Sequence, residues 1–456
     1  MMTQNSDVID FHGQLKIPVE TLLRGTLITG ATGSGKTRCV IRPLLRQLLA
    51  LHARDGHAKS GALVIDPKNE LLGIVREALE KCGREQDLIC IGPSPDEATY
   101  NPLANPKLTS TQITNMILAA STVVGQDLRM GRSERFWEQQ DRSLLQALVT
   151  LARQPDEEWL LNNPLTFGAL QKLRERLILS DKDILTWAQQ VAARIGLADG
   201  MPLLEFAALP GSTRACVVSS TGSLLDIFCR PPLSNVIEPQ AKRREADLSS
   251  IFEDGKFIIL NTARAESALE LLPAQVLLAW EWARLVLARH RLGRNQVRPV
   301  WTVIDEAARV ITCHGDPASD IMDMARASKV GVILALQNLA ALHALGNPNA
   351  VFRLVGLASN HFFLSNTDPI TAAVAVASLG TKDDYQFHRT VTPALPPPLL
   401  FPGRRPIQRS EPGILVPSTQ PVLPPGKLAR LKPGEIYYRI SLTSEVGCVL
   451  ADPAAP

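Results

Sequence analysis

A glycine-rich octet occupies residues 30–37 of this 456-residue chain and reads GATGSGKT. The short apolar run Gly25–Thr29 precedes it and predicts a strand, and a helical pattern follows it through Ala50. A strand that leads through such an octet into a helix is typical of a phosphate-binding loop, or P-loop. Its glycines let successive backbone N–H groups point at phosphate oxygens. The alternative is a glycine-rich turn that merely precedes a helix.

The octet predicts roles for individual residues of a nucleotide site. Lys36 would reach the β- and γ-phosphates of ATP, and Thr37 would ligate Mg²⁺. The positive end of the dipole of the following helix would favour the same phosphates. The candidate cofactor-binding residues are Gly30, Ala31, Thr32, Gly33, Ser34, Gly35, Lys36, Thr37 and Arg38.

A second candidate element is the apolar run Val300–Ile304, which ends in two acids, Asp305 and Glu306. In a P-loop ATPase the first acid holds the water shell of Mg²⁺, and a glutamate after it orients and polarises the attacking water. Asp305 is therefore a candidate metal ligand and Glu306 a candidate catalytic residue. The alternative is a strand that ends in an acidic cap for the next helix.

Two further residues complete the candidate catalytic set. Gln337 follows the predicted strand Gly331–Ala335, where RecA-like motors place a polar residue that senses the γ-phosphate. Arg326 lies on the predicted helix Pro317–Ala327, and its planar, permanently charged guanidinium suits a phosphate clamp supplied to a neighbouring subunit. A solvated loop glutamine and an ordinary surface arginine are the alternatives.

The alternation of short strands with helices predicts an α/β fold with a parallel sheet flanked by helices. The predicted strands after the octet are Ala62–Ile65, Leu88–Ile91, Phe257–Asn261, Trp301–Ile304, Gly331–Ala335 and His361–Leu364. Between about residues 109 and 209 amphipathic helices replace the β-branched runs. These helices are predicted at Ile113–Val124, Arg135–Arg153, Leu165–Leu177 and Lys182–Ile195, and a later one at Pro273–Arg291.

This pattern divides the chain into three parts. Residues 1–105 and 211–392 are predicted to form a discontinuous nucleotide-binding motor domain, and residues 106–210 an inserted all-α domain. Residues 393–456 are predicted to form a proline-rich arm and a C-terminal β element around Glu435–Ile440. The arm is predicted because residues 393–425 contain 11 prolines in 33 residues, and proline neither donates to a sheet nor continues a helix.

Composition restricts the classes of function. The 48 Lys and Arg nearly balance the 45 Asp and Glu, so nucleic-acid binding would need local basic groups. Aromatic residues amount to only 5%, which disfavours a binder built on base stacking. The 7 cysteines are scattered without a CxxC pair, which fits a reduced cytosolic chain without a zinc site. No stretch reaches about 18 uninterrupted apolar residues, so no membrane span is predicted.

Local basic clusters are candidates for sequence-nonspecific DNA contact, since a translocating motor needs weak contacts to phosphates. They are Lys242-Arg243-Arg244, then Arg289, His290, Arg291, Arg294 and Arg298, and finally Arg404, Arg405 and Arg409. The alternative is a cation-rich helix end with solvated loops. Residues 106–210 carry 11 Lys and Arg against 12 Asp and Glu, which favours accessory proteins over DNA as their partner.

Several segments resemble motifs of one protein family. Residues 65–71 read IDPKNEL and are similar to its DPKGEL-type box, and residues 100–103 read YNPL, similar to its NPL segment. Residues 324–337, which read MARASKVGVILALQ, resemble its stretch after the acid pair. Further similarities are Phe136-Trp137, Asn366-Thr367-Asp368 with Thr371, and Leu379-Gly380. The ordered set resembles the TraG/TraD family of type IV secretion coupling proteins, from about residue 20 to 445.

The resemblance implies a RecA-like motor domain with an all-α insertion, assembled as a homo-hexamer around a central channel. It implies that nucleotide lies between subunits and that ATP hydrolysis drives DNA or protein substrates to a secretion channel at the cytoplasmic face of the bacterial inner membrane. Relaxosome and other accessory proteins would be partners. At matching positions, Lys36 and Thr37 would bind phosphate and Mg²⁺, Asp305 and Glu306 would run hydrolysis, and Gln337 would sense nucleotide.

The sequence also departs from the family pattern. Members usually begin with two transmembrane helices, so membrane attachment is expected here only through a partner or through a segment outside this sequence. Asn69 stands where glycine is usual, and the proline-rich stretch is atypical. Two other functions remain open: an FtsK/HerA-type DNA translocase, which would not require the helical insertion, and a low-turnover nucleotide-binding adaptor that recruits secretion substrates, which would not need Glu306.

Overall fold

The computed structural model of the chain describes residues 7–123, 132–154, 165–177, 181–262, 270–289, 298–312, 315–343, 349–388 and 414–452. Within them the strands are β1 (Val8–Phe11), β2 (Leu15–Pro18), β3 (Thr26–Thr29), β4 (Gly61–Ile65), β5 (Leu88–Ile91), β6 (Phe257–Leu260), β7 (Val300–Ile304), β8 (Val330–Leu336), β9 (Asn360–Phe363), β10 (Thr381–His388), β11 (Ile414–Pro421), β12 (Glu435–Ile440) and β13 (Glu445–Leu450).

The helices in the same residues are α1 (Val19–Leu22), α2 (Arg42–Ala50), α3 (Leu71–Lys81), α4 (Ser110–Thr122), α5 (Arg132–Ala152), α6 (Phe167–Arg176), α7 (Asp181–Ile195), α8 (Leu197–Ala207), α9 (Gly211–Cys229), α10 (Ser234–Ile237), α11 (Ser249–Glu253), α12 (Leu272–Arg289), α13 (Pro317–Ala325), α14 (Ala340–His343), α15 (Ala350–Leu357) and α16 (Pro369–Leu379). Single 3₁₀ turns lie at Glu85–Asp87, Ala307–Arg309 and Leu428–Arg430, and a π-helical turn lies at Lys36–Ile41.

One large sheet organises the fold. Nine of the described strands form it in the order β13-β12-β9-β3-β8-β7-β4-β6-β5. All strands from β9 to β5 run parallel to their neighbours, whereas β12 and β13 add to the β9 edge in antiparallel pairs. Together with the flanking helices, this sheet confirms the predicted α/β fold class.

Successive residues of the central strands face two different cores. Val303 and Ile333 pack in the core that contains α2 and α3, and Ile304 and Leu334 pack in the core that contains α12 and α13. Burial on both faces explains why these strands are continuous apolar runs rather than alternating ones.

The parallel strands also bring four loops to one edge of the sheet. Thr29 at the end of β3 pairs with Leu336 at the end of β8, and Ile65 at the end of β4 pairs with Ile304 at the end of β7. The loops that follow these strands therefore lie side by side, at the edge where open α/β sheets bind their ligands.

The helical part extends beyond the predicted boundary at residue 210. The stacked rings of Phe167 and Phe228, with centroids 4.4 Å apart, join α6 to α9. The carboxylate of Asp141 on α5 accepts hydrogen bonds from Ser220, at 2.7 Å, and Thr221, at 2.9 Å, on α9. The block of helices α4–α9 thus continues to Cys229. Serine, threonine and valine give α9 a weak intrinsic helix preference, and packing on α5 and α6 compensates for it.

The C-terminal part also differs from the prediction. Residues 414–421, expected within an extended arm, form β11 and pair antiparallel with β10, so that Thr381 lies opposite Pro421. Residues 389–413 lie outside the described residues. The predicted C-terminal β element is present as β12, but it joins the main sheet, where Tyr438 lies opposite Phe362 of β9. The hairpin of β1 and β2 was not predicted.

A buried polar group connects the helical block to the sheet layer. Glu281 on α12 accepts hydrogen bonds from the hydroxyl of Tyr100 and, at 2.7 Å, from the Asn105 side chain. Tyr100 and Asn105 lie in the segment that leads into α4, and α4 packs against α12. Burial is the main cause that raises the pKa of Glu281 to about 7, although both hydrogen bonds oppose it.

Glu281 should make stability depend on pH. Because its pKa is about 7 in the folded chain and near its ordinary value of 4.5 when unfolded, the folded state holds the proton more tightly. The free energy of unfolding should therefore fall by about 3 kcal/mol as pH rises from 4.5 to 8. Glu281→Gln should remove most of this fall. Urea unfolding across this pH range measures it, with the exposed Glu253→Gln as control; the same slope in both variants would contradict the expectation.

Candidate functional site

The glycine-rich octet forms a tight loop between β3 and the π-helical turn. Gly33 and Gly35 adopt left-handed backbone angles, with φ of 77° and 98°, which glycine adopts without a steric penalty. The N–H of Gly30 donates to the carbonyl of Leu336 at 3.2 Å, and the N–H of Ala31 donates to that of Ser365 at 2.8 Å. The loop is thereby tied to the ends of β8 and β9.

Lys36 folds back under this loop. Its Nζ donates to the carbonyl oxygens of Gly30, at 2.7 Å, and Ala31, at 3.3 Å. Lys36 is buried, and burial lowers its pKa, although the Glu306 and Asp305 carboxylates oppose the shift. A buried ammonium group held only by carbonyl oxygens in these contacts is well placed to exchange them for phosphate oxygens.

The acid pair follows β7, as predicted. Asp305 is only 1% exposed, and its Oδ1 accepts the backbone N–H of Glu306 at 2.9 Å. Burial, and then the carboxylates of Asp66 and Glu306, raise the pKa of Asp305 to about 6. A divalent cation would relieve this crowding of buried negative charge.

The residues fit a magnesium site. The Asp305 carboxylate and the Thr37 hydroxyl are hard oxygen donors, and Mg²⁺ usually takes only one or two protein ligands, with phosphates and water completing its shell. The part of the chain that the structure describes contains no group of three or more His, Cys, Asp or Glu side chains that could hold a metal ion. Such a larger cluster is not needed for Mg²⁺ bound together with a nucleotide.

Glu306 does not act as a helix cap. It precedes the 3₁₀ turn at Ala307–Arg309, but its side chain makes no capping hydrogen bond. Instead its Oε1 accepts hydrogen bonds from Lys68 Nζ at 2.5 Å and from Gln337 Nε2 at 2.9 Å. Burial opposes the effect of these two donors, but together they lower the pKa of Glu306. Glu306 also has a left-handed backbone, with φ of 51°, which is uncommon for a residue other than glycine.

Gln337 occupies the predicted position at the end of β8. Its side chain contacts Glu306, and its carbonyl accepts a hydrogen bond from Asn366 Nδ2 at 2.6 Å. The following loop is fixed by two more residues of the same segment. Thr371 Oγ1 accepts the N–H of Leu339 at 2.9 Å, and Asp368 caps α16 while bonding Thr371 Oγ1 at 2.6 Å. The segment 366–371 therefore holds Gln337 against the acid pair.

Sequence reasoning missed two residues of this site. Asp66 directly follows the last residue of β4 and is fully buried. Its carboxylate accepts the backbone N–H groups of Lys68, at 2.9 Å, and Leu71, at 2.6 Å. Lys68 contacts Glu306 directly. The signal was present, because both residues follow a predicted strand, but nothing in the sequence states that β4 lies next to β7.

Asn69, which stands where the family usually has glycine, has a left-handed backbone with φ of 57°. Asparagine tolerates this conformation better than most residues other than glycine. The substitution is therefore compatible with the turn that positions Lys68.

Arg326 is not part of this cluster. It is exposed and follows α13, just before β8 begins. Gln337 follows the other end of β8, and a strand of 7 residues spans roughly 20 Å. Within one chain Arg326 thus lies near the edge of the sheet opposite the P-loop.

Two of the predicted DNA-contacting clusters require correction. Arg289 is buried, donates to the carbonyl of Arg298 and lies 4.4 Å from the centroid of the Phe252 ring. Arg298 donates to the carbonyls of Lys59, at 3.1 Å, and Glu253, at 2.5 Å. These guanidinium groups hold loops together and are not free for phosphate. Residues 290, 291 and 294 lie outside the described residues.

The same correction applies to Arg243, whose guanidinium donates to the carbonyls of Glu97 at 2.8 Å and Asn235 at 2.6 Å. Its neighbours Lys242 and Arg244 are exposed and remain candidates. The cluster of Arg404, Arg405 and Arg409 lies outside the described residues.

Comparison with known proteins agrees with this geometry. Residues 13–195 match the family model described as Type IV secretory system Conjugative DNA transfer, which confirms the resemblance found in the sequence over this part of the chain. No curated protein sequence matches the chain. No helix in the described residues has the length and apolar character needed to cross a membrane.

Solved structures share the fold at low sequence identity. The bacterial conjugative coupling protein TrwBdeltaN70 in its unbound form is 16% identical, with a TM-score of 0.66 over 99% of this chain and 90% of that chain. TrwB in complex with the non-hydrolysable ATP analogue ADPNP is 17% identical, with a TM-score of 0.63 over 100% and 91%. VirB4 of Thermoanaerobacter pseudethanolicus is 13% identical, with a TM-score of 0.56 over 100% and 98%.

Proposed function

We propose, on the premise that residues 13–195 match the conjugative DNA-transfer family of type IV secretory systems, that this chain is an ATP-hydrolysing coupling protein. It recruits DNA, or a nucleoprotein or protein substrate, and pumps it toward a type IV secretion channel. The proposal rests above all on the convergence of Lys36, Asp305, Glu306 and Gln337 at one edge of the sheet. In this set Lys36 would bind the polyphosphate, Asp305 would hold the metal ion, and Glu306 would act as the general base.

The chemistry assigns each group a separate task. The N–H groups of the loop and the Lys36 ammonium group bind the phosphates of ATP. Glu306 orients the attacking water and accepts its proton, because its carboxylate stays ionised at neutral pH. Thr37 and Asp305 would hold Mg²⁺, which would neutralise charge on the phosphates. Gln337 contacts Glu306 and would couple the position of the Glu306 carboxylate to the presence of the γ-phosphate.

The proposal includes assembly as a homo-hexameric ring with nucleotide between subunits. The distance of Arg326 from the P-loop of its own chain agrees with a role toward a neighbouring subunit. DNA would be held through phosphates without sequence preference, with the exposed Lys242 and Arg244 as candidate contacts. The helical block would meet relaxosome or accessory proteins, and the ring would work at the cytoplasmic face of the inner membrane through a membrane-bound partner or an additional segment.

The experiment is steady-state ATP turnover of the purified chain with Mg²⁺, with and without DNA of mixed sequence. DNA should raise turnover of the wild-type chain. Glu306→Gln should lower kcat by about a hundredfold, because the amide keeps the shape and the hydrogen bonds but is not a base. Its affinity for a non-hydrolysable ATP analogue should stay near wild type.

Glu80→Gln is the matched control, since Glu80 lies exposed on α3 and should leave turnover unchanged. A chain whose turnover neither responds to DNA nor falls on Glu306→Gln would be a nucleotide-binding adaptor and not a pump. DNA stimulation without any transfer phenotype in conjugating cells would instead favour a translocase of the FtsK/HerA type.

A further inference from the structure

Lys68 forms an ion pair with Glu306, the residue proposed above as the general base. Lys68 Nζ lies 2.5 Å from Glu306 Oε1, and Gln337 Nε2 donates to the same oxygen at 2.9 Å. Glu306 is 5% exposed, so water competes poorly for this oxygen. Oε1 already accepts two hydrogen bonds, and the adjacent ammonium charge makes the whole carboxylate, Oε2 included, a weaker acceptor for the proton of a water molecule.

The position of Lys68 is built into the fold. Asp66 accepts the N–H groups of Lys68, at 2.9 Å, and of Leu71, at 2.6 Å, so the buried carboxylate fixes the turn between β4 and α3. The left-handed Asn69 completes this turn. The Lys68 side chain remains 31% exposed. Its backbone is therefore anchored, while its long side chain has room to move.

The charges around Lys68 favour such a movement when a polyphosphate binds. Lys36 and Lys68 lie close enough for the charge of Lys68 to help lower the pKa of Lys36. Two ammonium groups thus converge on the edge where the loop would hold phosphates. Glu306 offers Lys68 one negative charge, whereas the terminal phosphate of a nucleoside triphosphate offers about two, on several oxygens.

We propose that Lys68 is a positioning residue that restrains Glu306 until the terminal phosphate of a bound nucleoside triphosphate draws its ammonium group away. Loss of this contact frees Glu306 Oε1 for the attacking water. A nucleoside diphosphate lacks the terminal phosphate and leaves Lys68 on Glu306. The inference rests on the proposed function, because it assigns Lys68 a role in the ATP hydrolysis proposed for the same site.

The first test compares Lys68→Met, which removes the charge at similar length, with Lys68→Arg, which keeps it. Turnover of ATP by the full chain without DNA is measured over a range of ATP concentrations. Lys68→Met should raise KM about tenfold, the effect of losing one charged hydrogen bond to the terminal phosphate, and should leave kcat within about threefold of wild type, because Lys68 has already left Glu306 once ATP is bound. Lys68→Arg should stay within about twofold of wild type. An unchanged KM in Lys68→Met, or a loss of kcat as large as that of Glu306→Gln, would overturn the proposal.

The second test needs no turnover. Affinities for ADP and for a non-hydrolysable ATP analogue are measured with Mg²⁺ by calorimetry on the same variants. Lys68→Met should lose about tenfold of the preference for the triphosphate over the diphosphate, and Lys68→Arg should keep it. A preference retained in full by Lys68→Met would show that Lys68 does not reach the terminal phosphate, and would overturn the proposal.

The two tests separate this inference from the function on which it rests. If the wild-type chain hydrolyses no ATP, the proposed function fails. The comparison of affinities for ADP and the ATP analogue still decides whether Lys68 contacts the terminal phosphate. If wild-type turnover is present and Glu306→Gln abolishes it, the function stands, and only the behaviour of Lys68→Met decides the role of Lys68. Thermal unfolding of each variant checks that the turn held by Asp66 is intact.

Discussion

Replacement of Lys36 by alanine is expected to reduce ATP turnover by about 10³-fold or more while leaving the fold intact. The Lys36 ammonium group contacts only the carbonyls of Gly30 and Ala31 among the described contacts, so its loss removes no apolar packing of the sheet. It does remove the cation that would lie against the β- and γ-phosphates. Turnover and the affinity for a fluorescent ATP analogue are the measurements, with circular dichroism to check the fold.

Lys81→Ala serves as the control for Lys36→Ala. Lys81 ends α3 and pairs with Glu77 at 2.7 Å on the surface, and such exposed i,i+4 pairs contribute little to stability. Its replacement should leave turnover unchanged. Turnover of Lys36→Ala near the wild-type rate would remove the motor interpretation altogether, because no other lysine lies on the loop.

The parts of the site that follow from local sequence were predictable. A P-loop needs a strand, an octet and a helix in immediate succession, and all three are contiguous between Gly25 and Ala50. The acid pair is likewise local, because Asp305 and Glu306 end an apolar run. Parallel strands end at the same edge of a sheet, so the prediction that these two elements work together needed only the correct fold class.

The contact of Lys68 with Glu306 was not predictable in the same way. It depends on β4 lying beside β7, and the two strands are separated by the whole helical block. The order of strands in a sheet is a tertiary property, and alternation of strands and helices leaves many orders possible. The sequence therefore identified Lys68 as part of a motif, but it did not indicate that Lys68 contacts Glu306.

Burial explains the prediction that was wrong. Arg289 and its neighbours read as a basic helix end, which commonly faces solvent. In the structure the Arg289 guanidinium lies over the Phe252 ring, and burial lowers the pKa of Arg289 to about 9. Phe252 is 37 residues away in sequence, so no local pattern signals that this arginine is enclosed. The packing of α9 on α5 and α6 is likewise a tertiary contact that no local pattern signals.

Arg326→Ala is expected to depress turnover of the assembled ring by about 10³–10⁵-fold, as is typical of an arginine supplied to the phosphates by a neighbouring subunit. Nucleotide affinity of the isolated monomer should hardly change, because Arg326 precedes the start of β8, and Gln337 follows its other end, roughly 20 Å along the strand. Turnover is therefore measured over a range of protein concentrations. The wild-type chain should gain specific activity as it assembles, and Arg326→Ala should assemble without this gain.

Arg54→Ala is the control, because Arg54 is also an exposed arginine and lies after the C-terminal end of α2, away from the P-loop. A mixture of Arg326→Ala and Lys36→Ala tests directly whether Arg326 acts across the subunit interface. A ring of both variants contains some interfaces with an intact P-loop on one subunit and an intact Arg326 on the next, so part of the activity should return. If the mixture stays as inactive as its components while both variants assemble, Arg326 does not act across the interface. If Arg326→Ala alone keeps full turnover, another arginine must serve the phosphates.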